Sequence, residues 1–452
     1  LTMAGKSVDS IEESIQSAEA ALQHAEPNEK NRDLIGQVAA IRAMIAIPQN
    51  QVDDIITYSR RALEYLSPEN LSVRTTTTWT LGYAYQLQGD RLAAIQAHRE
   101  ALSISQATGN TMISIAALTS LGQMLEAENQ LHQAAEYYRR VLELAGDPPL
   151  PATCEAHLGL ARIGYEWNDL DAAQEHAEQS LKLAQIMENV DTPVDCELLF
   201  ARLKLAQGDV DGAVEYLTNA WGGIQRSNFP HLIPDTAATQ VLVLLRQRNL
   251  EMAAELAEKH ELPISQARVH LAQGDASAAL AILESYRQEM EAKERDDERL
   301  KAMILQAIAL QSHGKGKQAM GLLEEALELA EPGGFIRTFV DEGAQMADLL
   351  SNTVAQGIMP NYISKLLMAF GAEEKNEGKS SQPLSQPIIA PLSERELEIL
   401  QLIAQGLSNR EISEKLFLAL NTIKGYNQKI FSKLQVQRRT EAIARARELN
   451  LL

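Results

Sequence analysis

The stretch "QLQGDRLAAI" (residues 86–95) sets a Gly-Asp turn before a run of small apolar residues, and the same punctuation returns down the chain. It recurs in "EAENQLHQAA" (126–135), "EWNDLDAAQE" (166–175), "AQGDVDGAVE" (206–215), "RQRNLEMAAE" (246–255), "AQGDASAALA" (272–281) and "SHGKGKQAMG" (312–321), with a weaker copy, "IPQNQVDDII" (47–56), ahead of them. The markers Gly89, Asn129, Asn168, Gly208, Arg248, Gly274 and Gly314 are mostly 39 or 40 residues apart, with one short step of 26 between Arg248 and Gly274. Each marker separates two segments of helical period, so each repeat reads as one helix-turn-helix unit. A unit of that kind can bury its apolar face only against its neighbours, and a stacked α-solenoid follows. We expect it to span residues 1–332, with a helical segment closing it at 333–370.

Composition agrees. The 452 residues are 45% hydrophobic and 23% charged, with only 5% aromatic residues, and their Ala, Leu, Glu and Gln favour helix over strand. No apolar run approaches the length a transmembrane helix needs, "VLVLL" (241–245) being typical of the longest. Two cysteines, Cys154 and Cys196, cannot build a disulfide framework in a chain of this size. Reduced thiols and a cytoplasmic location, with no membrane contact, are the expectation. The chain starts at Leu1, which suits a piece of a longer polypeptide.

Charge is uneven. The whole chain carries 41 Lys+Arg against 61 Asp+Glu, whereas residues 392–452 hold 10 against 7. Within that region Lys415–Thr440 has six cations and no acid. Ahead of it, "GAEEKNEGKSSQPLSQPIIA" (371–390) has little to bury and reads as a flexible linker. The domain from 391 to 452 is dense in helix signals. Ser393 and Glu396 have capping-box spacing before an apolar stripe of Leu397, Leu400 and Ile403 or Ala404, and Ser408 and Glu411 repeat the box before Ile412 and Leu416. A third helix over about 421–434 puts Ile423, Asn427, Ile430 and Leu434 on one face. Asn421, Lys424, Gly425, Gln428, Lys429 and Ser432 fall opposite. Amides and cations on a free helix face suit the major groove of DNA, where Asn or Gln reads adenine and Lys reads guanine. The acid-free stretch lies where acid would face phosphate.

The last 61 residues closely resemble the LuxR-type helix-turn-helix: "LSERELEIL", "GLSNREIS", "NTIK", "IFSKL" and "RRTEA" match its pattern in order and spacing. The repeats resemble tetratricopeptide repeats, with Leu81, Gly82, Tyr85, Gly89, Ala94 and Ala101 at the family's spaced positions. "GGFIRTFVDEG" (333–343) and "MPNYISKLL" (359–367) look like the segments before the DNA-binding domain in the large ATP-binding LuxR-type regulators, the group of the maltose-regulon activator. The resemblance implies an all-α chain: a tetratricopeptide-like solenoid, then a small four-helix DNA-binding domain that places a transcription regulator, by analogy an activator, on double-stranded promoter DNA. It implies base contacts from Lys424, Gly425, Gln428 and Asn421. It implies phosphate contacts from Asn409, Arg410, Thr422, Lys429, Lys433, Arg438 and Arg439. Contact with RNA polymerase and self-association on DNA are further implications. The competing reading is a repeat scaffold whose terminal helices merely dock a protein.

No G-x-x-x-x-G-K-[ST] is present, so a family ATPase domain would lie N-terminal to this chain. The nine histidines are scattered and no metal, cofactor or nucleophile motif is found, so we expect neither a cofactor nor an enzyme. A small-molecule or protein effector is expected on the first helices of the repeats, at Trp79, Tyr83, Gln123, Arg162 and Arg202. There the two arginines either pair with neighbouring carboxylates such as Glu155, Glu166 or Asp195, or grip an anionic or peptide ligand.

Overall fold

The computed structural model describes residues 8–23, 28–47, 49, 51–146, 148–187, 191–227 and 230–380, then 394–404 and 407–416, and beyond these Ile423, Lys424, Tyr426, Asn427, Ile430, Val436, Arg439 and Ala442. The chain divides into two compact units, Leu1–Asn376 and Glu377–Leu452. The described residues form helices and no strands.

In the first unit, α1 (Val8–Gln23) precedes eight antiparallel pairs: α2 (Glu29–Ala46) with α3 (Val52–Tyr65), α4 (Leu71–Gln88) with α5 (Arg91–Thr108), α6 (Thr111–Ala127) with α7 (Leu131–Ala145), and α8 (Cys154–Glu166) with α9 (Leu170–Ile186). Then come α10 (Asp191–Ala206) with α11 (Val210–Ser227), α12 (Ile233–Arg246) with α13 (Leu250–Lys259), α14 (Pro263–Gln273) with α15 (Ala276–Ala292), and α16 (Asp296–Ser312) with α17 (Gly316–Ala330). The repeated marker is a two-part device. Gly89 ends α4 in the left-handed region at φ 84°, and the next residue, Asp90, caps α5 by accepting the Ala93 amide at 3.2 Å. Gly208, Gly274 and Gly314 repeat the first part, and Asp209 and Asp275 the second. Asn129, Asn168 and Arg248 take the same turn at φ 57°, 61° and 58° without glycine. The short step of 26 residues comes from the shortness of α13 and α14, 10 and 11 residues, so no unit is lost.

Small residues set the packing distance. Ala94, Ala134, Ala173, Ala213, Ala253 and Ala319, near the start of second helices, are buried, as is Ala101 two turns further along α5. The Tyr138 ring of α7 lies between Gly122 of α6 and Gly159 of α8, where an added Cβ would stand 2.6 and 2.3 Å from ring atoms.

After α17 the chain turns back over its own middle. Gly333–Gly343, including the short helix α18 (Arg337–Val340), forms a strap along the end of α8. The Ile336 amide donates to the Glu166 carbonyl at 2.7 Å, and the Trp167 indole N–H to the Gly333 carbonyl at 2.8 Å. Thr338 donates from its amide and its hydroxyl to the Glu166 carboxylate, and Tyr165 donates to Asp341 at 2.8 Å. Arg337 is only 1% exposed and is held by Asp341 and by Asn168. Helices α19 (Ala344–Val354) and α20 (Pro360–Ser380) complete one core with residues of α6, α7, α8, α16 and α17. Helix α20 therefore runs about ten residues into the stretch expected to be linker.

The second unit holds α21 (Glu394–Ala404) and α22 (Asn409–Leu416). The Ser408 box forms as expected: the Glu411 amide donates to the Ser408 hydroxyl at 3.3 Å, and the Ser408 amide to the Glu411 carboxylate at 2.6 Å. Ile399, Leu400, Leu402, Ile403, Ile412, Ile423, Ile430 and Ala442 make its core.

Candidate DNA-binding face and effector cavity

In the second unit Ile423, Asn427 and Ile430 are buried while Lys424, one residue away, is exposed on the same helical stretch. This is the division of faces that the spacing of the apolar residues predicts. Gly425, Gln428 and Asn421, and the phosphate candidates Thr422, Lys429, Lys433 and Arg438, lie outside the described residues, as do Ser393 and Leu434. Arg410 is exposed. Asn409 and Arg439 differ from Arg410 because both turn inward. The Asn409 side-chain oxygen accepts from Asn427 at 2.8 Å and from Arg439 at 3.3 Å, and the Arg439 guanidinium also donates to the carbonyls of Leu407 and Ile403. Arg439 thus ties the end of α21 and the start of α22 to the following helical residues.

In the first unit the first helices of five successive repeats, α8, α10, α12, α14 and α16, border a cavity of about 780 Å³, with Asp341 and Glu342 of the strap closing one side. Arg162 and Arg202 both line it. Neither is unpaired. Arg162 forms a fork with Glu126 at 3.1 and 2.7 Å, and Glu126 also accepts the Tyr138 hydroxyl. Arg202 lies 3.5 Å from Asp341 and 3.8 Å from Glu166, over the Tyr165 ring. The pairing alternative holds for both, although Arg162 takes Glu126 of the preceding repeat and not Glu155 or Asp195. Gln123, Trp79 and Tyr83 sit apart from the cavity: Gln123 donates to Glu155 at 3.1 Å, and Trp79 stacks on Tyr83 with ring centroids 5.9 Å apart.

Further charges on this wall come from the fold. Arg268 reaches Glu342 at 2.6 Å and Lys301 reaches Glu298 at 2.7 Å. Burial would raise the Glu298 carboxyl, but the charge and hydrogen bond of Lys301, with the Tyr286 hydroxyl, outweigh it and hold the group down at about 2. Asp341 is likewise held below the usual carboxylate range: burial opposes this, and Arg337 and Arg202 overcome it. Asp195 behaves oppositely, pushed up to about 6 by burial that Arg162 only partly offsets. A sequence signal for this wall does exist. Positions 162, 202 and 242, at steps of 40, all line the cavity, and Asp195 and Asp235 keep the same step.

A stack of helical repeats followed by a small domain with a capped helix-turn-helix defines a class, the regulators that join a repeat region to a DNA-binding domain. The chain belongs to the family described as the MalT-like TPR region, which matches residues 36–356, and its residues 390–446 match the bacterial regulatory proteins of the luxR family. Among curated proteins it is similar to the HTH-type transcriptional regulator MalT of Yersinia enterocolitica serotype O:8 / biotype 1B, 24% identical over 91% of this chain and 49% of that protein. The regulator of the same name from Yersinia pestis strain Pestoides F is 24% identical over 92% of this chain and 50% of that protein. The chain thus spans about half the length of the curated relatives it matches. A solved Rap protein complexed with Competence and Sporulation Factor shares the fold at a TM-score of 0.51 and 14% identity, over 76% of this chain and 98% of that one. Among the described residues no helix is long and apolar enough to cross a membrane.

Proposed function

We infer that this chain is the signal-receiving and DNA-binding part of a transcription activator that works in the cytoplasm without chemistry of its own. The observation that carries the reading is the helix around Lys424, which buries Ile423, Asn427 and Ile430 against a luxR-type core and leaves Lys424 exposed. Lys424, Gly425, Gln428 and Asn421 read base edges in the major groove. Arg410, Thr422, Lys429, Lys433 and Arg438 anchor the phosphates, with Asn409 and Arg439 holding the helices in register beneath them. RNA polymerase and a second copy on the promoter are the partners this role calls for.

The repeat region supplies the signal. The cavity bordered by α8, α10, α12, α14 and α16 has the size of a small-molecule site, and it takes the place of the wider surface that included Trp79, Tyr83 and Gln123. The test for the DNA-binding half is a mobility-shift titration of the full chain across salt. Three to five neutralised phosphates per domain give a log–log slope of about −3 to −4. An affinity that stays flat between low and moderate salt overturns the reading.

A further inference from the structure

The charges that line the cavity do not cancel, and the remainder has a sign. Six cations border it: Arg162, Arg202, Arg268, Lys293, Arg295 and Lys301. Each already has a carboxylate within ion-pair distance, respectively Glu126, Asp341 with Glu166, Glu342, Glu289, Asp297 and Glu298. At Arg162, Arg202, Arg268 and Lys301, bringing an anion to this wall means breaking a formed pair and leaving a partly buried carboxylate behind, which is costly, whereas Lys293 and Arg295 are more exposed and already paired. Two lining carboxylates remain, Asp195 on α10 and Asp235 on α12. Among the described residues neither accepts a hydrogen bond or stands within ion-pair distance of a cation. They project from corresponding places on neighbouring first helices, 40 residues apart. Apolar side chains line the cavity as well, Leu198, Leu199, Leu242, Leu262, Ile264 and Met290 among them.

We propose that the cavity binds a small ligand with a protonated amine on an apolar body, its ammonium held by Asp195 and Asp235 and its body laid on the leucine-rich wall. This rests on the reading of the cavity as the effector site and gives that site its ligand class. An ammonium restores to the partly buried Asp195 carboxylate what burial took from it, finds in the exposed Asp235 a second acid to pair with, and disturbs none of the six existing pairs. The arginines keep the wall in shape and do not grip the ligand. The titration of the site follows. The Asp195 carboxyl, raised to about 6 by burial, pulled down in part by Arg162 of α8 and pushed up further by Asp235 of α12, Asp191 of α10 and Glu155 of α8, is ionised at pH 7.5 and largely protonated at pH 5. Amine affinity is therefore present above pH 6 and lost as the pH falls through it.

A charge series on one apolar body tests this with the full chain. The tripeptide Leu-Pro-Leu is titrated by calorimetry, at up to 10 mM and pH 7.5, as the free-amine amide (a cation), the N-acetyl amide (neutral) and the N-acetyl acid (an anion). The cation is expected to bind about tenfold more tightly than the other two. That preference should shrink to within twofold at pH 5, and also in the double variant Asp195→Asn, Asp235→Asn, whose folding is checked by its melting curve. Equal binding of all three, or a preference for the anion that Arg202→Ala removes, overturns the amine assignment and leaves the cavity reading standing. Absence of binding by all three overturns both. The charge series on the unaltered protein decides the matter even where the double variant fails to fold.

Discussion

The inner wall of the repeat region and the helix-turn-helix unit both display basic residues, and they use them in opposite ways. On the wall every lining cation is matched to a carboxylate, and the groups left over are acids. In the C-terminal unit, Arg439 is spent on backbone carbonyls and on Asn409 while Lys424 stands exposed on the neighbouring helix. The sign of a side chain therefore does not tell its task. What decides is whether the fold has already supplied a partner, because a paired ion has no free energy left to offer a ligand without breaking that pair.

The comparison can be broken hardest at the strap. Arg337 is the most buried cation described, and Arg337→Ala strips Asp341 of its nearest positive charge inside the core. Removing one partner of a buried pair costs about 3–5 kcal/mol, and urea unfolding of the repeat region should show a loss of that size. A loss below 1 kcal/mol would mean that the strap is held by its hydrogen bonds to α8 and its apolar contacts, without help from the Arg337 pair. Gly159→Ala comes next, since its Cβ would meet the Tyr138 ring, which Gly122 crowds from the other side. Overpacking of this kind costs about 1–3 kcal/mol, and the same unfolding curve reads it.

The C-terminal unit offers a sharper contrast between two cations. Arg439→Ala removes donors from part-buried carbonyls, so it should lower the stability of that unit by about 1–3 kcal/mol and weaken binding to all DNA sequences alike. Lys424→Ala should leave the melting curve unchanged and relax the preference at one base pair by about 1–3 kcal/mol. Binding-site selection with both variants separates them, and equal behaviour would erase the distinction between positioning and reading. The smallest expected effect is at the capping box. Ser408→Ala removes one acceptor at the start of α22 and should cost about 1 kcal/mol, visible as a small drop in the melting temperature of the unit.

How much of this was legible varied with the range of the interaction. The turn markers were readable because a left-handed residue and an Asp or Asn cap act within a few residues. Asn129, Asn168 and Arg248 could be aligned without glycine because the following residues kept the pattern. The division of faces around Lys424 was readable for the same reason: helical period is a local property. Arg337 was not readable, standing in "FIRTFV" as one cation within an apolar run. Asp341 is only four residues on, but the other partner of Arg337, Asn168, is 169 residues away, and nothing in either neighbourhood announces that contact. The internal bonds of Arg439 were not readable either, because the carbonyls it serves, at Leu407 and Ile403, carry no signal of being unsatisfied.

By itself the sequence determined the helix pairs, their turns, their stacking and the presence of a DNA-binding unit at the C-terminal end, since each of these follows from spacing, capping residues and regional charge. Only the tertiary structure decided that the end of the repeats folds back as a strap over α8, and that Arg162 and Arg202 are already paired. It alone left Asp195 and Asp235 as the open charges of the cavity. The physical reason is that an ion's partner is chosen across the fold. Five first helices and a strap, drawn from residues 158 to 342, meet around one space, and which charges cancel there depends on distances that no local pattern encodes.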